Sequence, residues 1–314
     1  MFAFLLPLLY SIEVQAGKLP EGIMLYKESD FDSLLDQAWE ARQAFFPNRI
    51  EFTAPNRTLS VSVTGSDCSL NCSHCSGVYL RNMVSVEKAL AGKKGRERSY
   101  LVSGGSTKDG KVPLLEKWLE LKELASRGAL NLHTGLVTEE EARRLSEIAS
   151  VVSFDFIGDN ETIAAVYGLS ASVEDYLASY RYLQKYTSVI PHICIGLNAG
   201  TIKSEYDALH LLKQEAVEAI SMIIFRPTEG TAFSQFSPPV PEEVARFIAT
   251  ARLMFPLTPL YLGCMRPGGR YRETVDTYAL RAGVNKIVLP APAARLKADE
   301  LGLQISISEE CCSL

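Results

Sequence analysis

The stretch Cys68-Ser69-Leu70-Asn71-Cys72-Ser73-His74-Cys75 places three thiols within eight residues. Three thiolates on one loop can converge on a single inorganic centre. A closed structural zinc site or an ordinary 4Fe-4S cluster takes four protein ligands, so three leave one metal corner open. A Cys3His zinc site completed by His74 or His133 uses the same residue types. Zinc modules usually show CxxC or HxxxH spacings in pairs, however, and Cys72–Cys75 has no second such spacing to pair with. Structural disulfides suit short secreted chains rather than one of 314 residues with seven cysteines.

The spacing of three residues and then two, with His74 just before the last thiol, resembles the signature of the radical S-adenosylmethionine (SAM) superfamily. The resemblance implies that Cys68, Cys72 and Cys75 hold a 4Fe-4S cluster whose fourth iron is chelated by SAM. One electron, from a donor such as a ferredoxin or flavodoxin, then cleaves SAM to methionine and a 5′-deoxyadenosyl radical. His74 takes the family's usual aromatic place near the adenine. Gly104 and Gly105 match the glycine pair that lets the backbone approach the methionine moiety. The glutamate that usually follows is replaced by Ser106, so Ser106, Thr107 or a carbonyl must substitute. Asp155 is the candidate for the ribose hydroxyls. Gly196, with Ile223 or Phe225, would frame the adenine, although both apolar residues also read as barrel core.

The elements that must position these residues alternate regularly. Ser29 or Asp30 caps a helix through Leu34, Ala38, Ala41 and Phe45, which Pro47 ends. Strands are expected at 59–65, 99–105, 129–134, 151–157, 189–197, 219–226, 257–264 and 286–289. Helices fall between them, near 113–127, 173–186, 204–217, 241–254 and 272–282, and a Thr138/Glu141 capping box opens another. Val84 to Leu90 is a weaker helical stretch. This pattern predicts an α/β fold, a parallel eight-stranded βα (TIM-type) barrel. The expected organisation is an N-terminal extension with its helix (1–57), the barrel (58–292) and a short C-terminal tail (293–314). His133, Asp155, His192, Cys194, Arg226 and Cys264 all fall at C-terminal strand ends, where such a barrel gathers its chemistry.

A closer resemblance rests on Gly65, the Cys68–Cys75 run and Ser103-Gly104-Gly105-Ser106. It extends to His133-Thr134-Gly135, Val166-Tyr167-Gly168, Pro191-His192-Ile193 and Gly263-Cys264-Met265-Arg266-Pro267. Together these look like the biotin-synthase-related proteins, some of which are subunits of the two-component lipoyl synthases of archaea and some bacteria. The likeness implies sulfur insertion into an octanoyl chain on a carrier protein or peptide, beside a second radical SAM subunit. It also implies a second iron–sulfur cluster that is consumed as the sulfur source. Cys264, Cys311 and Cys312 are its candidate ligands. A short helix after Pro292, then the alternating run Leu303 to Ser308, would carry the last two thiols back towards the barrel mouth. A frayed tail with two free thiols is the other reading. The alternative function is a biotin-synthase-like mutase, lyase or cofactor maturase without that cluster. A non-catalytic metal-binding scaffold is a third class.

Composition bounds these readings. The chain is 47% hydrophobic and 22% charged with a net charge of −5, as expected of a soluble globular protein. No basic stripe is present to neutralise phosphates, so no nucleic-acid partner is expected. No apolar stretch approaches the roughly twenty residues that span a bilayer, so no membrane association is expected either. Residues 1–10 are nearly all apolar, but no Lys or Arg precedes them as in a signal peptide. With an oxygen-sensitive cluster, this makes a cytoplasmic location the expectation. The organised chain is expected to start after Met24.

Overall fold

The computed structural model describes residues 29–92 and 95–314, so the expectations on Met1 to Met24 lie outside the described residues. Its strands are β1 (Arg49–Thr53), β2 (Thr58–Ser62), β3 (Val84–Ser85), β4 (Ser99–Ser103), β5 (Ala129–His133) and β6 (Val151–Asp155). They continue as β7 (Val189–Ile195), β8 (Ile220–Ile224), β9 (Leu260–Leu262), β10 (Lys286–Val288) and β11 (Gln304–Ser308). The sheet order is β11-β1-β10-β9-β8-β7-β6-β5-β4-β2-β3, and every ladder is parallel. Each of the eight expected segments contains a strand, but the sheet has eleven. The additions are β1, the two-residue β3 and β11. In β1, Ile50 and Phe52 are buried between Arg49 and Glu51, a period-two pattern squeezed between Pro47 and Pro55.

The sheet must curl. Strands β1 and β2 stand eight places apart in the order yet are joined only by residues 54–57. Eight flat inter-strand steps would span about 38 Å, whereas a four-residue link reaches at most roughly 17 Å. Where the ends meet, Arg57 N–H donates to Glu309 O (3.0 Å) and Ala54 N–H to Ser308 O (3.0 Å). The result is a parallel α/β barrel-like sheet wrapped by helices.

The helix Phe31–Phe45 is not an appendage. Asp30 accepts from Ser33 N–H at its start, and Leu34, Leu35 and Ala38 are buried. Its fully buried Arg42 donates to Val284 O (3.4 Å), Pro47 O (3.3 Å) and Arg49 O (2.5 Å), tying it to the outer helical ring. The expected weak helix becomes β3 followed by the helix Val86–Ala91, capped by Ser85. The capping box of Thr138 and Glu141 opens the helix Glu139–Leu145. No described helix is long and apolar enough to cross a membrane.

Arg266 pins the end of the barrel. Its guanidinium forms a two-pronged bridge to Asp276 (2.8 and 3.0 Å), and both residues are fully buried. It also donates to Gly263 O (2.6 Å), Val288 O (2.8 Å) and Leu289 O (3.2 Å). One side chain therefore joins the ends of β9 and β10 to the helix Gly269–Arg281. Asp276→Ala would leave this buried cation unpaired. Denaturant unfolding should show a loss of about 3–5 kcal/mol, and replacing both partners by Met and Leu should not recover it, because the carbonyls of Gly263, Val288 and Leu289 and the Ala291 N–H then lose their partner.

Candidate active site

The cysteine loop leaves β2 and is fastened at several points by backbone alone. Ser69 N–H donates to Ser106 O (2.9 Å), and Ser73 N–H to Val166 O (2.8 Å). Phe233 N–H donates to Ser73 O (2.9 Å), so loops after β4, β6 and β8 all grip it. After Cys75 come two left-handed residues, Ser76 (φ 43) and Gly77 (φ 70), which turn the chain sharply. Cys72 is buried, and Cys68 and Cys75 are half-buried.

The thiols act on one another. The hydrogen bond from Cys72 holds Cys75 down to about 4 against the opposing effect of burial, and His74 and Gly77 N–H add to it. The same bond, together with burial, pushes Cys72 well up, and the nearby Cys68 raises it further. Cys75 is thus the thiol most favoured to lose its proton, among partners that would share a metal centre. His74 stacks edge-on against Tyr167 at 5.5 Å. Its Nδ1 is buried without a hydrogen-bond partner among the described residues. A buried polar atom lacking a partner is costly, and a bound ligand at this spot would relieve it.

Gly105 lies hard against the cysteine loop. A Cβ at Gly105 would come within 1.9 Å of Asp67 O and 2.5 Å of Cys68 Cα. The close approach is therefore to the cysteine loop itself. Gly105 N–H donates to Thr64 Oγ1 (2.7 Å), which in turn donates to Asp67 O (2.8 Å). A Cβ at Gly104 would meet only side chains, the nearest being Val63 Cγ2 at 2.8 Å. The Ser106 carbonyl serves the loop, accepting from Ser69 N–H and facing the Cys68 thiol at 3.9 Å.

Asp155 is exposed at the end of β6, where its charge acts on His133, Tyr167, Tyr176 and Cys194. Burial holds His133 down to about 4 against the pull of Asp155. Gly196 lies past the end of β7 at φ +76, where a Cβ would come within 2.3 Å of Pro239 Cγ. Its N–H, with that of Leu197, donates to the buried Glu205 carboxyl (2.8 and 3.0 Å). Burial pushes Glu205 up to about 7 even so. Phe225 is buried and stacks on Phe233, whereas Ile223 is half-buried.

The tail does not fray. The helix Pro292–Glu300 runs back along the barrel, and β11 returns beside β1. After β11 the chain turns into the barrel interior, where Cys311 and Cys312 are buried. Inward-facing polar residues of the strands receive it. Asn131 Nδ2 donates to Cys311 Sγ (3.2 Å), Ser221 Oγ faces Cys312 Sγ (3.9 Å), and Ser153 Oγ meets Ser313 Oγ (2.9 Å). The ammonium of Lys286, almost wholly buried, donates to Cys312 O (3.1 Å) and Leu314 O (3.3 Å). Leu314 packs on Val151, Ile190, Ala219 and Tyr261 near the strand starts.

The two tail thiols lie 3.8 Å apart. Their hydrogen bond lowers Cys312 and, with burial, raises Cys311. Cys264, past the end of β9, is reached by solvent, yet surrounding protein and the charge of Cys311 raise its thiol. Cys194 is half-buried, well above its ordinary value through burial, and one full pleat above His192. The roles of Asn131, Ser153, Ser221 and Lys286 escaped sequence reading. Their signal was polar residues at the inward-pointing alternate positions of otherwise apolar strands.

Among the described residues no three His, Cys, Asp or Glu side chains close on one point as a single metal ion requires. An iron–sulfur cluster presents a separate iron to each ligand, so its thiolates need not meet at a point. The donor set of the first loop, three thiols beside an orphaned imidazole nitrogen, fits a cluster with a co-ligand. A cavity of about 520 Å³ opens elsewhere, beside Lys108, Leu136, Gly168 and Tyr182, and none of the candidate site residues lines it.

No family model matches the chain. The biotin synthase of Rhodopseudomonas palustris (strain BisB18) is 24% identical over 290 residues, covering 86% of this chain and 78% of its own. That of Zymomonas mobilis subsp. mobilis is 28% identical over 269 residues, covering 78% of each. Among solved structures, methylornithine synthase is similar with a TM-score of 0.65 at 15% identity, covering 93% of this chain and 95% of its own. The FeFe-hydrogenase maturase HydG from Carboxydothermus hydrogenoformans also scores 0.65, at 17% identity, over 86% of this chain and 66% of its own. The two structures share the fold. The likeness in sequence to the biotin synthases supports the radical SAM superfamily, in its biotin-synthase-related part.

The geometry at Gly105 gives a direct test. Gly105→Ala should displace Asp67 and Cys68, and so lower both the iron bound after anaerobic reconstitution and the affinity for SAM. Gly104→Ala, meeting only movable side chains, should keep most of its iron. Full iron in Gly105→Ala would refute the contact with the loop.

Proposed function

We propose that this chain is a radical SAM enzyme that inserts sulfur into an unactivated carbon–hydrogen bond. Cys68, Cys72 and Cys75 would hold the 4Fe-4S cluster, with SAM on its open iron, and Cys264, Cys311 and Cys312 a second, sacrificial cluster. The observation that carries the sulfur-insertion reading is the path of the tail, which buries Cys311 and Cys312 in the barrel interior, near enough to Cys264 for their charges to act on one another. When bound, SAM and its cluster supply a 5′-deoxyadenosyl radical upon one-electron reduction.

The protein's own contribution is placement. His74 Nδ1 is the buried donor or acceptor left for a ligand near the thiols. Asp155 offers a carboxyl at the mouth, suited to ribose hydroxyls. Glu205 fixes the Gly196–Leu197 backbone where the adenine would rest. Backbone bonds around Cys68–Cys75, helped by the hydroxyls of Thr64, Ser73 and Ser76, hold the thiols in place. An octanoyl chain on a carrier protein or peptide is the substrate we favour, with a second radical SAM subunit and a ferredoxin- or flavodoxin-type donor as partners. The second reading is a mutase, lyase or maturase without the second cluster. The apolar setting of the tail thiols, beside Val288 and Leu101, favours it.

Anaerobic reconstitution separates the two. The first reading expects about eight irons per chain and the second about four. Replacing Cys68, Cys72 and Cys75 by Ala should abolish 5′-deoxyadenosine formation from SAM and dithionite, and its persistence would sink both. Replacing Cys264, Cys311 and Cys312 together should leave SAM cleavage largely intact, end sulfur transfer and bring the iron to about four. Unchanged iron in that variant would shift the assignment to the second reading.

A further inference from the structure

Three cysteines do not complete a closed four-iron cluster, which ordinarily takes four protein ligands. The interior around the tail thiols narrows the choice of a fourth. Asn131 is committed on both sides, its Nδ2 donating to Cys311 Sγ and its Oδ1 accepting from Ser153 Oγ (2.9 Å). Lys286 Nζ spends its protons on the tail carbonyls and on Glu51 (3.2 Å). Ser313 Oγ is paired with Ser153 Oγ.

His192 is different. Its Nδ1 lies 3.0 Å from Ile190 O, a carbonyl that can only accept, so Nδ1 carries the proton. That leaves the Nε2 lone pair, which faces Cys312 Sγ at 3.6 Å. A ligating histidine is normally oriented in this way, with the far nitrogen donating to a backbone carbonyl. The ring is buried, and β7 fixes its direction.

We propose that His192 Nε2 is a protein ligand of the second iron–sulfur cluster, making its donor set three thiolates and one imidazole. This rests on the second cluster assigned to Cys264, Cys311 and Cys312 above. His133, whose ring centre is 5.8 Å from that of His192, is the competing imidazole. It faces Asp155 and has no thiol contact of this kind.

The test is spectroscopic and needs no substrate. The full chain, reconstituted without SAM and reduced with dithionite, is examined by pulsed EPR with natural-abundance and with 15N-labelled histidine. A directly bound histidine nitrogen should give a strong 14N coupling that converts to the 15N pattern on labelling. It should persist when Cys68, Cys72 and Cys75 are replaced by Ala, which leaves only the second cluster. It should vanish in His192→Ala and survive in His133→Ala. If the chain holds about four irons rather than eight, the second cluster itself is absent and the inference falls with it. If about eight irons are present without a histidine coupling, the cluster stands and His192 only hydrogen-bonds a thiol. A coupling that survives His192→Ala equally overturns the assignment. Because labelling leaves the chain unmutated, a misfolded His192→Ala variant does not blunt the test.

Discussion

The structure depends on what fills its barrel. Parallel barrels are normally packed inside by layers of branched apolar side chains. Here the inward positions of β5 to β10 include Asn131, Ser153, His192, Ser221 and Lys286, all buried. Buried polar groups need partners, and an unpaired one costs about 1–3 kcal/mol. The tail supplies those partners. Its thiols, its serine and its carbonyls meet these side chains in turn, and Leu314 adds the apolar plug at the floor. Barrel and tail are therefore one unit. Neither interior nor tail would be satisfied without the other.

A second constraint is the crowding of thiolates. Near the mouth, contact between Cys72 and Cys75 raises the first thiol and lowers the second, and inside the barrel Cys311 is raised and Cys312 lowered in the same way. Two adjacent thiolates repel unless something offsets their charge. A multi-iron centre would do so by placing positive charge between them. The surroundings are rigid: loops after three strands clamp the first set, and β5, β7, β8 and β10 bracket the second. Arg266, tying β9 to β10 through a buried pair with Asp276, sets the base on which Cys264 stands.

Much of this was legible in the chain itself. Period-two apolar runs marked the strands, and the Thr138/Glu141 box and Pro47 marked helix ends, because each is a local rule that local structure obeys. The cysteine spacing marked the first candidate site for the same reason. Strand β1 was obscured by its brevity and by the prolines around it, so Ile50 and Phe52 looked like linker. Gly105 carried a glycine signal whose cause lay 37 residues upstream, at Cys68, which no local pattern contains. His192, Asn131 and Lys286 were harder still. Their partners sit at Cys311 to Leu314, and only barrel closure brings them together.

The strands also set the distance between the two centres proposed above. Gly196 is four residues beyond His192, a climb of about 13 Å along a strand. A strand tilt of about 36° reduces this to roughly 11 Å along the barrel axis. The His192 level holds the tail thiols, and the Gly196 level borders the loops that grip Cys68–Cys75. A carbon that is to lose hydrogen at one level and gain sulfur from the other must sit in the gap between them. A narrow, flexible chain entering end-on from the mouth would meet that condition. The acyl chain proposed from the likeness to lipoyl synthase subunits is compatible with that demand.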